Sequence, residues 1–236
     1  DLLLAVSTEM AEILCKLSKR PEAVRVFHIG VNLDKFEPIN YESRIENNIC
    51  QLVMIGRFTQ KKGHQYALKA FKIAIQKGRK AHLHLIGDGE LKQECIKYVH
   101  SNKLDSNVTF HGVLNSSEIS LLLKRVDLLL APSVVASNQD REGGPVVIKE
   151  ANATAIPAVG TYHGGIPEII EDGKTGYLVP ERHVDSLANR MIDLIDHPKK
   201  RSAFGVAARE KMERDYDIRK QVQKLESLYD QVSRNK

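Results

Sequence analysis

The chain has 236 residues, 42% of them hydrophobic and 28% charged, the balance of an ordinary globular protein with enough apolar mass for a true core. Its apolar runs, such as 126–131, fall far short of the ~20 residues that cross a bilayer, and the N-terminus lacks the basic-then-apolar order of a secretory leader, so a cytoplasmic protein is expected. The formal charge of +5 is carried by residues 199–236, with eleven basic against six acidic side chains, which argues against a nucleic-acid footprint and leaves either a solvated helix face or a contact with an anionic membrane surface.

DLLLAVS (1–7) reads as a strand, with a helix over Thr8 to Leu17 N-capped by Ser7. It either joins the main sheet or is the remnant of another domain. After Pro21, VRVFHIG (24–30) leads into the turn VNLDKFEP, and the polar stretch 39–49 reads as a loop. From there strands alternate with helical stripes, the pattern of parallel β-α-β units. QLVMIG (51–56) precedes a stripe at Tyr66, Ala67, Ala70, Phe71, Ala74 and Ile75, and AHLHLIG (81–87) precedes a helix from about Glu90. NVTFHG (107–112), the run 126–131 and IPAVG (156–160) complete five strands, and two or three helices follow from about His183 to Val232. All strands but the fourth end in glycine, at the edge where open α/β sheets bind ligands.

The motifs lie at that edge. In GRFTQKKG (56–63), Arg57 and Lys62 stand beside a helix opening at Gly63, an arrangement suited to a pyrophosphate or, more blandly, a solvated basic loop. The order of a P-loop is missing, and neither GDGE (87–90) nor TYHGGIPE (161–168) has dinucleotide-fingerprint spacing. In REGGPVVIKE (141–150) the helix is expected to start at Gly144 or Pro145, with Glu142 in the preceding loop and Glu150 in the second turn. Two carboxylates this close suit the acid and base of a glycosidase. The N–H groups of Gly143, Gly144 and Val146 between them form an anion cradle, and carboxylates also accept hydrogen bonds from diols, so a nucleotide-sugar fits as well. Taken singly, Glu142 reads as a helix-dipole acid and Glu150 as an exposed helix position.

Cys15, Cys50 and Cys95 form no CxxC pair and do not suggest a disulfide framework. His82 and His84 share a strand face but lack a third ligand at sensible spacing, and DREG offers no Asp-x-Asp pair, so no metal and no cofactor are expected.

Taken in order, VFHIGVNLDKFEP, IGRFTQKKG, LHLIGDGE, VTFHGVL, LLLAPSV, DREGGPVVIKEANATAIPAVGT and HGGIPEIIEDGKTGYLVP resemble the donor half of retaining enzymes of the glycosyl transferases group 1 family, over about residues 24–195. ASNQDREGGP most resembles bacterial exopolysaccharide and colanic-acid type members. The resemblance implies an α/β fold, a Rossmann-like parallel sheet with helices on both faces, as the C-terminal half of a GT-B enzyme. It implies that Arg57 and Lys62 hold the donor diphosphate, that Glu142 contacts the sugar and Glu150 the ribose, that Gly143, Gly144, Pro145 and Val146 contact phosphate and sugar, and that Val113 meets the base. Gly56, Gly87 and Asp88 complete the expected binding set.

The same resemblance divides the chain. Residues 1–21 would be the remnant of an N-terminal acceptor domain, 22–198 the nucleotide-sugar domain, and 199–236 helices packing towards the missing domain. The expected function is transfer from a nucleotide-diphosphate sugar, UDP-sugar favoured, to a saccharide or lipid-linked acceptor with retention, this piece alone being inactive. A peripheral membrane contact through the basic helices is a further expectation. The alternative is a non-catalytic nucleotide-sugar sensor or assembly module; a hydrolase or epimerase lacks a further acid-base pair.

Overall fold

The computed structural model describes residues 2–39 and 49–234. The chain begins with β1 (Leu3–Ala5), α1 (Thr8–Leu17) and β2 (Val24–Val26). Ser7 caps α1 as expected, its side chain accepting from the Met10 N–H at 3.3 Å. β1 and β2 pair with each other in a separate parallel sheet, so the first strand does not join the main sheet. The expected loop at 39–49 lies, apart from its two ends, outside the described residues.

The main sheet holds six parallel strands: β3 (Cys50–Ile55), β4 (Ala81–Ile86), β5 (Val108–Gly112), β6 (Leu128–Ala131), β7 (Ala158–Thr161) and β8 (Gly176–Val179). Alternation sends Leu52 and Met54 into one core layer and Val53 and Ile55 into the other. Burial on both faces is why these strands read as almost continuous apolar runs. One layer is closed by α2 (His64–Gln76), α3 (Lys92–Ser101) and α7 (Val184–Asp196), through side chains such as Phe71, Val99 and Met191. The other is closed by α4 (Ser116–Leu123), α5 (Val146–Ala153) and α6 (Ile166–Ile169), through Leu123, Ile148 and Ile166.

The sheet order is β5-β4-β3-β6-β7-β8. The chain therefore winds outward in one direction from β3 and in the other from β6, and a crevice opens between the carboxyl ends of these two strands. Residues 56–63 and 132–145 are the loops that flank it.

Five strands were expected and six are present. The missed strand, β8 (Gly176–Val179), follows a turn at Gly173 and itself begins with a glycine, so its apolar run is confined to Tyr177–Val179. The fourth strand starts at Leu128 rather than Val126, and the fifth is shifted to Ala158–Thr161. α5 starts at Val146, not at Gly144 or Pro145. Pro145 has a helix-compatible φ of −63° but an extended ψ of 115°, so it caps the helix instead of entering it.

After α7 come α8 (Pro198–Lys211), a π turn at Met212–Tyr216 and α9 (Ile218–Arg234). The start of α9 is stitched to the N-terminal region: Val31 N–H donates to the Tyr216 carbonyl at 2.8 Å, and Ile218 N–H to the Val31 carbonyl at 3.1 Å. Farther on, Leu225, Leu228, Tyr229 and Val232 face Leu2 and Leu4 across a groove of about 250 Å³. None of the described helices is long and apolar enough to cross a membrane.

Candidate active site at the switch point

The loop after β3 is built around Phe58, which is fully buried and stacked on His64 with ring centroids 4.0 Å apart. Gln60–Lys62 forms a single 3-10 turn, and Gly63, at φ 75°, ends it and opens α2. Phe58 N–H donates to the Asp88 carbonyl at 2.9 Å, lacing this loop to the turn after β4. The close approach of the two strand ends requires Gly87: a Cβ there would lie 2.1 Å from the Gly56 carbonyl oxygen.

Across the crevice, Glu142 is brought to these cations. A recess of about 340 Å³ is lined by Arg57, Thr59, Lys61, Lys62, Asp140 and Glu142. Glu142 is 7% exposed; its Oε2 is 3.0 Å from Lys62 Nζ, and its Oε1 is 3.9 Å from Lys61 Nζ and has no hydrogen-bond partner. A buried acceptor left in this way costs about 1–3 kcal/mol, a cost that a donor group from a ligand would remove. Lys61 bonds Asp140 at 3.0 Å, and its carbonyl accepts from Val134 N–H at 2.8 Å, so the two loops are joined directly.

Of the residues singled out in the sequence, Arg57, Lys62 and Glu142 therefore share one recess. Gly56 lies beneath it, where a Cβ would touch the Lys62 side chain at 3.2 Å. Gly143, Gly144, Pro145 and Val146 lead from Glu142 into α5, whose first N–H groups have no intrahelical acceptor. Val113 follows β5 and is 75% exposed. Asp88 turns elsewhere: its carboxylate holds Lys92 at 2.7 Å and its own neighbour's N–H, at Gly89, at 2.8 Å, which lowers its pKa. Glu150 does not line the recess. It is partly buried in the second turn of α5, where burial raises its pKa and the Lys35 charge opposes that shift.

Several residues at or behind the site were not singled out. Lys61 and Asp140 line the recess with Glu142. His163 and Glu181 lie behind Glu142, joined Nδ1 to Oε1 at 2.6 Å. Lys149 is 1% exposed in α5, with Nζ 2.8 Å from the Ile29 carbonyl and 4.9 Å from the Tyr216 ring centroid. Burial pushes its pKa down to about 8, against an opposing effect of Glu168.

The paired strand histidines lie away from this recess. His84 meets His111 at 2.9 Å and Gln51 at 3.0 Å, while His82 meets Thr109 at 2.8 Å. Burial, with the neighbouring imidazoles, lowers the His84 pKa to about 4, which leaves the ring neutral near pH 7. Among the described residues no three His, Cys, Asp or Glu side chains stand close enough to share a metal ion.

The model of the family described as "Glycosyl transferases group 1" matches residues 37–211. This chain belongs to that family. It is 31% identical over 230 residues to the putative colanic acid biosynthesis glycosyltransferase WcaL of Salmonella typhimurium, covering 97% of this chain and 56% of the relative. It is 30% identical over 217 residues to the amylovoran biosynthesis glycosyltransferase AmsK of Erwinia amylovora, covering 92% of this chain and 53% of the relative. The chain thus spans about half the length of the curated relatives it matches. Among solved structures, Anabaena Alr3699/HepE in complex with UDP and glucose superposes with a TM-score of 0.84 at 20% identity, over 98% of this chain and 63% of that one. The C-terminal domain of the group 1 protein LpcC from Francisella tularensis gives 0.69 at 24% identity, over 80% of this chain and all of that one. The sheet order and its two helical layers are those of the Rossmann-like C-terminal half of a GT-B glycosyltransferase.

Proposed function

We propose that this chain is the donor-binding part of a retaining glycosyltransferase that takes a sugar from a nucleotide-diphosphate sugar, with UDP as the favoured nucleotide, in bacterial exopolysaccharide synthesis. One observation carries the reading: two cations at the carboxyl end of β3 face, across the switch-point crevice, a buried acid with an unsatisfied oxygen. The names of the relatives WcaL and AmsK support the exopolysaccharide setting, and the UDP bound in HepE supports the choice of nucleotide.

On this reading Arg57 and Lys62 neutralise the diphosphate as the glycosidic C–O bond to it breaks, so leaving-group stabilisation is electrostatic. The phosphate oxygens compete with Glu142 for Lys62, which frees the carboxylate for sugar hydroxyls. Glu150 accepts from the ribose diol, Gly143, Gly144 and Val146 supply backbone N–H groups, Pro145 shapes the turn between them, Val113 meets the base, and Gly56 and Gly87 shape the floor, with Asp88 acting through its carbonyl, which holds the Phe58 N–H. Because side chains meet the diphosphate charge, turnover by the complete polypeptide is expected to persist in a chelator.

Acceptor recognition belongs, on the same reading, to a second domain of a longer polypeptide, and the relatives' greater length supports this. Residues 1–21 are then the end of that domain, 22–198 the nucleotide-sugar unit, and 199–236 helices packed towards the partner domain, where they also approach the inner membrane surface. The chain alone is expected to bind donor and transfer almost nothing. Calorimetric titration of the folded chain with UDP-sugars and GDP-sugars tests the core of this reading; no binding at millimolar ligand overturns it. Glu150→Ala should weaken nucleotide affinity by about tenfold, and an unchanged affinity removes Glu150 from the ribose.

A further inference from the structure

We propose that His163 and Glu181 are positioning residues that clamp the backbone of Glu142 and so aim its carboxylate at the donor sugar, an inference that rests on the donor-binding reading above. The Glu142 N–H donates to His163 Nε2 at 3.0 Å, and His163 Nδ1 lies 2.6 Å from Glu181 Oε1. The ring is buried, its side chain 1% exposed. A nitrogen that accepts the Glu142 proton carries none of its own, so the ring proton resides on Nδ1 and is donated to Glu181. The opposite tautomer would set one N–H against another and leave the carboxylate without its donor.

Glu181 grips the other end of the same loop. Its Oε2 accepts the Val135 N–H at 2.9 Å, and Arg182, bonded to that oxygen at 3.2 Å, also donates to the Val135 carbonyl. A single carboxylate at the end of β8 thus holds the loop where it leaves β6 and, through His163, where it arrives at Glu142. Between these two points lies Asp140, the partner of Lys61. The turn after His163 leaves the held peptide no room to slip. A Cβ at Gly164 would lie 2.0 Å from the Glu142 carbonyl oxygen, and one at Gly165 would lie 2.1 Å from that of Gly143.

This clamp also accounts for TYHGGIPE. Its glycines let the turn press against the acid loop from behind while the histidine accepts the amide hydrogen bond. Orientation of Glu142 then depends on a hydrogen bond that involves none of its own side-chain atoms. Disturbing it should affect binding of the sugar more than binding of the nucleotide.

Two measurements on the chain decide the matter. ¹⁵N NMR of the histidine side chains should show His163 protonated at Nδ1 and bare at Nε2; a proton on Nε2 overturns the clamp. Titrations of His163→Phe and His163→Gln should then be made with a UDP-sugar and with UDP. The Phe variant should lose about tenfold or more for the UDP-sugar and less than about threefold for UDP. The Gln variant, which keeps an acceptor, should recover most of the loss. Equal losses for both ligands would make the residue merely structural and overturn the role, as would no loss for either. A wild-type chain that binds no nucleotide overturns the donor reading itself, and the ring tautomer still decides the clamp by itself.

Discussion

The loop after β3 and the loop after β6 face each other across one crevice, yet the first packs around its own Phe58 and is laced to the turn after β4, whereas the second is held by Lys61 from across the crevice and by residues from beyond β7. Around Phe58, the stack on His64, the single 3-10 turn and the left-handed Gly63 all lie within residues 56–64. The acid loop instead depends on Lys61, His163 and Glu181, the last standing 39 positions beyond Glu142 in the numbering of the chain. A loop packed on its own buried ring and on the neighbouring turn moves with its own half of the sheet, whereas a loop held from across the crevice and from beyond β7 couples its acid to both halves. The cations form the fixed side of the site and Glu142 the side that must be kept in place.

The largest effect is expected on the fixed side. Lys62→Ala removes the cation 3.0 Å from Glu142 Oε2 without disturbing the Phe58 packing, so the fold should persist while transfer by the complete polypeptide falls roughly 10²- to 10³-fold, about 3–4 kcal/mol. Single-turnover assays would read this. A loss below tenfold would mean that Arg57 or Lys61 carries the leaving group instead, and the contrast between the two loops would need redrawing.

A smaller change should appear on the held side. Gly164 has φ +54°, and its missing Cβ is what lets the Glu142 carbonyl lie against the turn; Gly173 has φ +75° with open space around it. Gly173→Ala should therefore cost about 1 kcal/mol, for backbone strain alone. Gly164→Ala should cost about 2 kcal/mol or more and also weaken donor binding. Urea unfolding midpoints measure the first part. Equal costs for the two variants would show that the turn is not pressed against the acid loop.

The difference between the loops also explains what could be read from the sequence. Arg57 and Lys62 were legible because a strand, a glycine and a helix start lie within eight residues of sequence, GRFTQKKG. Glu142 was legible because a Gly-Gly-Pro turn marks a helix start, although Pro145 proved to be the cap. Sequence spacing alone could not reveal that the Asp88 carboxylate would be engaged by Lys92, four residues on at the first position of α3. Nor could it reveal the clamp, because His163 and Glu181 meet only when β7 and β8 pair side by side. The small β1–β2 sheet was ambiguous for the same reason: pairing partners are a property of the fold, and two three-residue strands carry almost no pattern.

The last prediction is the smallest and concerns the foundation of the cation loop. His64 is buried against Phe58 with neither ring nitrogen bonded, and burial, aided by the Lys62 charge, lowers its pKa to about 3 from an ordinary 6.5. The unfolded chain therefore binds a proton in the window between these values that the folded chain refuses. The sign follows: this group's contribution to stability is intact above about pH 6.5 and is lost, by roughly 1 kcal/mol per pH unit, as pH falls towards 3. His64→Phe keeps an aromatic ring on Phe58 and has no proton to bind, so it should remove that part of the acid sensitivity while leaving the stability at pH 7.5 nearly unchanged. Denaturant melts of both proteins from pH 7.5 to 4.5 would compare the slopes. Parallel slopes would mean that the ring takes up its proton in the folded state, and that the turn carrying Arg57 and Lys62 yields at low pH instead of remaining the rigid side of the crevice.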